Sequence, residues 1–168
     1  LTGLTDCRIK AIAPVVIDVL NMDEQMQHHR KAYGYWAPSI YEYAQMRVFD
    51  RLLPEAGTLT PAAEALLQLV DPYEYRDRME SIPMFLMNST GDQFFLPDSA
   101  QFYFKDLPDT LGNKFLNYVP NTSHGIASEL SITSTPIQNL MAWFLAITQN
   151  ESMPVWSFQR ESENTIRL

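Results

Sequence analysis

An acidic residue and a histidine follow two short apolar segments in the C-terminal half of the chain. Asp92 lies in STGDQFF, directly after residues 82–88, and His124 lies in NTSHG, directly after residues 114–119. A carboxylate that accepts a hydrogen bond from one imidazole nitrogen fixes the tautomer of the ring, and the other nitrogen can then take a proton from a hydroxyl nucleophile. These residue types are therefore typical of nucleophilic hydrolysis.

The surrounding segments predict alternating strands and helices. Residues 82–88 and 114–119 have the short apolar pattern of strands, and residues 8–20 form a β-branched run that fits a strand buried on both faces. Residues 97–107 and 136–148 have apolar positions at helical spacing. These stripes are Ala100, Tyr103, Phe104 and Leu107 in the first helix, and Ile137, Leu140, Met141, Phe144 and Leu145 in the second, with Thr135 as the cap. Parallel strands need crossovers of this kind, so the predicted fold class is α/β.

The predicted topology brings the acidic residue and the histidine to the same edge of the sheet. They are 32 residues apart, about one strand–helix–strand unit, and catalytic groups in open α/β sheets collect at the carboxyl ends of strands. The order acid then histidine is also that of the α/β-hydrolases. We therefore expect Asp92 and His124 to meet. Two other interpretations stay open: an Asp after Gly91 is commonly a turn or capping residue, and a histidine in a polar loop is commonly only solvated.

Residues 22–81 have a different character and predict a helical, cap-like insertion between two strands. Ser39 to Glu42 form a capping-box pattern that opens a helix to about Leu52. Thr60-Pro61 starts a second helix, whose apolar face is Ala63, Leu66, Leu67 and Val70. The aromatic residues of this insertion are Tyr33, Tyr35, Trp36, Tyr41, Tyr43, Tyr73 and Tyr75. They fit the lining of an aromatic substrate site or, as we favour, the packing of a small cap.

His28 and His29 raise the question of a metal site in this insertion. Adjacent residues point in different directions on a helix, unlike the i, i+4 histidines of a zinc helix. A solvated or surface role is therefore favoured over metal binding. Cys7 is the only cysteine, so an internal disulfide and a cysteine-based metal site are excluded, and we expect neither a metal nor a cofactor.

Composition limits the class of partner. The 168 residues carry a net charge of −8 with scattered basic residues, which disfavours a nucleic-acid or anionic membrane surface. The longest apolar run falls short of the roughly 20 residues of a membrane span, so no span is expected. Asn-x-Ser/Thr sequons at Asn88, Asn121 and Asn150 favour the secretory route slightly. The expected partner is a small-molecule or peptide substrate, and the sequence does not indicate an oligomeric state.

A nucleophile for the histidine is missing from the sequence. The strained Gly-x-Ser-x-Gly turn of α/β-hydrolases does not occur, and the Gly-x-Thr at Gly3 lacks the second glycine. The oxyanion hole of that fold also comes from earlier segments.

Five long segments occur in a fixed order along the chain: IKAIAPVVIDVLNM (9–22), HHRKAYGYWAPSIYEY (28–43), LLQLVDPYEYRDRM (66–79), STGDQFFLPDSAQFYF (89–104) and YVPNTSHGI (118–126). Together they resemble the PhoPQ-activated pathogenicity-related protein family, which is similar to α/β-hydrolases and includes autocrine proliferation repressors. The resemblance implies a C-terminal fragment, with a serine nucleophile before Leu1 and with Asp92 and His124 at the acid and base positions. It also implies a secreted or periplasmic protein.

The resemblance and the residue patterns give one expected organisation. Residues 1–21 and 82–150 are the C-terminal part of an α/β-hydrolase-like core with a mostly parallel sheet, 22–81 are the helical cap, and 151–168 begin a C-terminal extension. The expected function is serine hydrolysis of acyl esters or peptides by the parent protein. The alternative is a secreted regulatory protein on the same scaffold that does not require catalysis.

Overall fold

The structure is a computed structural model that describes residues 2–52, 59–108, 113–126, 130–154 and 159–167. The α-helices within these ranges are α1 (Thr2–Thr5), α2 (Met22–Tyr33), α3 (Tyr41–Gln45), α4 (Val48–Leu52), α5 (Pro61–Val70) and α6 (Thr135–Gln149). The strands are β1 (Met84–Ser89), β2 (Lys114–Val119), β3 (Gln159–Ser162) and β4 (Thr165–Arg167). Short 3-10 segments occur at Pro38–Ile40, Pro72–Met79, Ser99–Phe102 and Phe104–Asp106.

A parallel pair of strands, β1 and β2, forms the centre of the fold. Met84 pairs with Lys114 at one end and Ser89 pairs with Val119 at the other. All six residues of β1 are buried, as expected for a parallel strand covered on both faces. The strands predicted at 82–88 and 114–119 are therefore confirmed, and the protein is a mixed α/β structure.

The predicted strand at residues 8–20 is shortened and irregular. Only two parallel bridges form, between Ile12 and Met84 and between Val15 and Met87. Pro14 has no N–H to donate, and Val16 has a φ of 52°, which extended backbone does not allow. The expectation of a strand buried on both faces is wrong for this segment, although it still lies alongside β1.

Apolar side chains cover both faces of the strand pair. On one face, Met84 and Leu86 pack with Met79, Ala100, Tyr103 and Leu107. On the other face, Phe85, Met87 and Val119 pack with Ile126 and with Trp143 of α6. The alternation along β1 therefore directs successive residues to two separate cores.

The crossover between β1 and β2 is not the continuous helix predicted at residues 97–107. It contains the two 3-10 segments, because Tyr103 between them has a φ of −144°. Ala100, Tyr103 and Leu107 are buried nonetheless. The apolar spacing therefore identified the packed residues correctly but not the type of helix.

Helix α6 confirms the predicted helix at 136–148, but it begins and packs differently. Its N-cap position is Ser134 rather than Thr135. Its core contacts come from Leu140, Trp143 and Ile147. Three residues of the predicted stripe are about half exposed, namely Met141, Phe144 and Leu145.

The described part of the insertion predicted at 22–81, which lacks residues 53–58, contains α2 to α5 and two 3-10 segments. The single helix expected from Ser39 to Leu52 is wrong, because Arg47 has a φ of 57° and separates α3 from α4. The start of α5 is confirmed, since the Thr60 hydroxyl accepts a hydrogen bond from the Ala63 N–H at 3.1 Å.

The chain after α6 ends in the antiparallel hairpin β3–β4, whose residues are all exposed. Of the extension expected at 151–168, residues 155–158 and 168 lie outside the described residues. Among the described helices, none is both long and apolar enough to cross a membrane.

Candidate active site

Two loops at the carboxyl ends of β1 and β2 are joined by hydrogen bonds. We call residues 90–95 the acid loop and residues 120–125 the histidine loop. The Gly91 N–H donates to the Thr122 carbonyl at 3.0 Å, and the Asn121 N–H donates to the Thr90 hydroxyl at 3.1 Å. The Thr122 hydroxyl donates to Ser89 Oγ at 2.9 Å, and the Ser89 hydroxyl donates to the Thr122 carbonyl. The two loops are therefore fixed relative to each other.

The close approach of the loops depends on Gly91 and Asn121. A Cβ atom on Gly91 would lie 2.7 Å from the Thr122 carbonyl oxygen, closer than van der Waals contact allows. Asn121 has a φ of 58°, a left-handed conformation that asparagine tolerates better than most residues.

Asp92 binds His124 and also organises the acid loop. Its Oδ2 lies 2.8 Å from His124 Nδ1, while its Oδ1 accepts hydrogen bonds from the N–H groups of Phe94 at 2.7 Å and Phe95 at 3.1 Å. Its side chain is only 3% exposed. The turn-forming role and the expected contact with the histidine therefore coexist in one residue.

His124 is held on several sides but keeps one nitrogen accessible. Its backbone N–H donates to Gln93 Oε1 at 3.0 Å. Its ring centroid lies 4.3 Å from that of Phe94 and 5.9 Å from that of Phe95. An ionised carboxylate only accepts hydrogen bonds, so Nδ1 carries the proton and Nε2 has the free lone pair. Among the described residues no partner binds Nε2, and the side chain is 30% exposed. This imidazole can accept a proton from a bound hydroxyl group.

His28 and His29 differ from each other in environment. His29 is buried, accepts a hydrogen bond from the Ala37 N–H at 3.1 Å through Nε2, and stacks on Trp36. The solvated role expected for it is wrong, because burial with an aromatic neighbour and a backbone donor replaces water. Burial also lowers the pKa of His29, as does the nearby His28. His28 binds Asp98, with Nε2 2.9 Å from Oδ1.

The aromatic residues of the helical segment form a packed cluster with an exposed margin. Trp36 stacks on Phe49 with centroids 4.1 Å apart, and Phe94 packs against the same cluster. The exposed margin consists of Tyr33, Tyr35, Tyr41 and Tyr43. The favoured interpretation, aromatic packing of a small cap, therefore agrees with the interior of this cluster.

Sequence reasoning missed a buried polar network around Asp18. Asp18 is 2% exposed, and its Oδ2 accepts a hydrogen bond from the Tyr118 hydroxyl at 2.8 Å. That hydroxyl in turn accepts from the Ala100 N–H at 3.3 Å. Burial raises the pKa of Asp18, although the hydroxyls of Tyr103 and Tyr118 act in the opposite direction. Burial also raises the pKa of both tyrosines, and the Asp18 carboxylate raises it further.

Other residues at the site were missed for lack of a recognisable pattern. Gln93, Phe94 and Phe95 follow Asp92 directly, and this adjacency was the available signal. Ser89 and Thr122 make the contact between the loops, but no spacing rule reveals a hydroxyl pair 33 residues apart. No group of three or more His, Cys, Asp or Glu side chains among the described residues could hold a metal ion.

The fold and the site define a class of protein: a mixed α/β protein with a carboxylate–histidine pair at the carboxyl ends of two adjacent parallel strands. The sequence matches the PhoPQ-activated pathogenicity-related protein family over residues 1–168, and the chain belongs to that family. It is 40% identical over 126 residues to autocrine proliferation repressor protein A of Dictyostelium discoideum. The match covers 75% of this chain and 24% of the relative, so the chain spans about a quarter of that relative's length.

Proposed function

We propose that this chain supplies the acid and the base of a serine hydrolase that cleaves acyl esters or peptides. The hydrogen bond of 2.8 Å between Asp92 and His124 is the observation that carries the proposal. The nucleophilic hydroxyl belongs, in this proposal, to a part of the full-length protein outside these 168 residues. The chain then contributes the C-terminal part of an α/β-hydrolase-like core (1–21 and 82–150), a helical cap (22–81) and the start of an extension (151–168). We also propose that the full-length protein is secreted or exported to the periplasm.

The contacts of the pair support defined roles for both residues. His124 Nε2 takes the proton of the serine hydroxyl as its oxygen attacks the acyl carbon, and Asp92 stabilises the imidazolium that forms. The imidazolium then gives that proton to the leaving alcohol or amine, which departs as the acyl-enzyme forms. In the second half, His124 takes a proton from water, the hydroxide attacks the acyl carbon, and the serine leaves with the proton returned.

The test is covalent labelling of the full-length protein with a fluorophosphonate probe. We expect His124→Ala to lower the labelling rate by about 10⁴-fold or more, because an unassisted serine hydroxyl is a poor nucleophile. His28→Ala is the matched control, since His28 also pairs with a carboxylate but lies outside the proposed site. Equal labelling of the wild type and His124→Ala would remove His124 from the mechanism.

A regulatory protein without required catalysis is the second candidate, and the name of the Dictyostelium relative favours it. On this proposal the chain is part of a secreted repressor of proliferation on the same scaffold. The residues preceding Leu1 distinguish the two candidates. A Gly-x-Ser-x-Gly turn after a buried strand supports the enzyme, whereas a residue without a hydroxyl or thiol group at that position supports the regulator.

A further inference from the structure

Two consecutive phenylalanines stand beside the exposed imidazole. Phe94 and Phe95 are each only partly buried, and both rings lie against His124, with centroid distances of 4.3 and 5.9 Å. Their backbone N–H groups bind Asp92, which any residue type other than proline can do. The backbone role therefore does not explain why both side chains are large and aromatic.

The two rings differ in how they pack against the rest of the protein. Phe94 packs into the apolar cluster of Ala37, Ile40 and Phe49, so its ring has a packing role in the helical segment. Phe95 belongs to none of the buried apolar clusters formed by the described residues. Its ring contacts are with Phe94 and His124. Apolar surface is thus left accessible at the imidazole itself.

The distances place this surface within reach of a substrate. A hydroxyl that gives its proton to His124 Nε2 must come within about 3 Å of that atom, and the attacked carbon lies about 3 Å further on. Groups attached to that carbon extend over distances comparable with the 4 to 6 Å that separate the imidazole from the centres of the two rings.

Charge restricts the type of group that this surface can accept. The chain has a net charge of −8, and the Asp92 carboxylate lies 2.8 Å from Nδ1 of the His124 ring that both phenylalanines contact. A carboxylate on the substrate would be repelled, while an aromatic ring would stack favourably on Phe95.

Resting on the hydrolase function proposed above, we propose that Phe94 and Phe95 form the wall of a subsite that accepts a neutral aromatic group next to the scissile acyl bond. The substrate class is then an aryl-substituted acyl ester or amide. Phe95 is the residue that determines this preference, and Phe94 supports it from the helical segment.

The experiment compares two p-nitrophenyl esters, the phenylacetate and the acetate, as substrates of the full-length protein. We expect Phe95→Ala to lower the ratio of their kcat/KM values about tenfold, the scale of discrimination that apolar contacts provide. Phe95→Leu should retain part of the preference. Phe144→Ala, which removes a ring that is 59% exposed on α6, is the control and should leave the ratio unchanged. A ratio that Phe95→Ala does not alter would overturn the subsite.

A binding measurement separates failure of the subsite from failure of the hydrolase. If the wild type hydrolyses neither ester, methyl phenylacetate is titrated into the protein and the imidazole NMR signals of His124 are followed. A shift in the wild type that is lost in Phe95→Ala establishes an aromatic binding site without catalysis. The absence of any shift in the wild type, or an equal shift in Phe95→Ala, overturns the inference.

Discussion

Asp92 divides its two carboxylate oxygens between the backbone and a side chain. Oδ1 accepts the N–H groups of Phe94 and Phe95, and Oδ2 accepts Nδ1–H of His124. With the side chain only 3% exposed, these donors replace water around the charge. The geometry of the acid loop and the tautomer of the histidine therefore depend on the same group.

Replacing Asp92 by asparagine should change the tautomer of His124. An asparagine can present its N–H₂ group to Nδ1, which would move the imidazole proton to Nε2 and leave no lone pair to accept a proton. In triad hydrolases a change of this kind lowers kcat by about 10⁴. The measurement is the pair of ¹⁵N chemical shifts of the His124 ring, which distinguish protonated from unprotonated nitrogen.

Asp98→Asn is the matched control, because Asp98 forms a second carboxylate–histidine pair with His28. It should alter the ring signals of His28 and leave those of His124 as they are. Unchanged ¹⁵N shifts of His124 in Asp92→Asn would show that Asp92 does not set the tautomer.

At the level of elements, the acid loop and the histidine loop behave as one unit. The link from Gly91 N–H to the Thr122 carbonyl lies next to Asp92 on one side and two residues from His124 on the other. The parallel pairing of β1 with β2 brings the loops to the same edge. The side-chain hydroxyls of Ser89 and Thr122 then fix their separation.

Gly91→Ala should separate the loops and destabilise the fold. Its Cβ would lie 2.7 Å from the Thr122 carbonyl oxygen, and backbone atoms can relieve such a contact only by moving apart. Overpacking of this kind costs about 1–3 kcal/mol. Urea unfolding measures the loss of stability, and the ¹⁵N shifts of His124 should change as the Asp92 contact lengthens.

Gly34→Ala provides the comparison. Gly34 has a φ of 74° with no atom near the position of a Cβ, so its substitution strains the backbone by about 1–2 kcal/mol at a distance from the loops. It should lower stability without altering the His124 signals. Gly91→Ala with native His124 signals would mean that the loops tolerate the displacement.

The elements show why part of this structure could be predicted from the sequence and part could not. The apolar segment 82–88 identified a strand, because burial on both faces leaves a continuous apolar pattern. The same reasoning failed at Val16 and Arg47, where a positive φ interrupts the expected element. A positive φ at a single residue leaves no periodic signal in the sequence.

The candidate site divides in the same way. Placing Asp92 and His124 after successive strands was sufficient to expect that they meet. The burial of Asp18 and its hydrogen bond with Tyr118 could not be foreseen. The two residues are 100 positions apart, and nothing in the local sequence distinguishes a buried carboxylate from a solvated one.

For the molecule as a whole, two buried groups make stability depend on pH in opposite directions. Burial raises the pKa of Asp18 above its unfolded value, so its stabilising contribution is complete below about pH 3.9 and is lost as the pH rises through the folded pKa. Burial lowers the pKa of His29, so its contribution is complete above about pH 6.5 and is lost as the pH falls through its folded pKa.

Asp18→Asn should therefore reduce the loss of stability on raising the pH above about 4. Asparagine stays neutral and can still accept the Tyr118 hydroxyl. While Asp18 titrates, the wild type should lose up to about 1.4 kcal/mol per pH unit relative to the variant. The measurement is the free energy of unfolding in urea between pH 4 and 8.

Glu24→Gln controls for the change in net charge, since Glu24 lies on an exposed part of α2. It should have nearly the same pH dependence as the wild type. Parallel curves for Asp18→Asn and the wild type would show that Asp18 is ionised without penalty in the folded protein.

The hydrogen bonds that tie the two loops also restrict how a molecule can reach His124. Hydrogen bonds of Gly91, Asn121 and Thr122 join the acid loop to the histidine loop. Neither loop is therefore free to move as a lid. On the other side of Phe94 the helical segment packs against the same ring. A molecule that approaches the exposed Nε2 of His124 therefore meets two joined loops that cannot separate to admit a larger group.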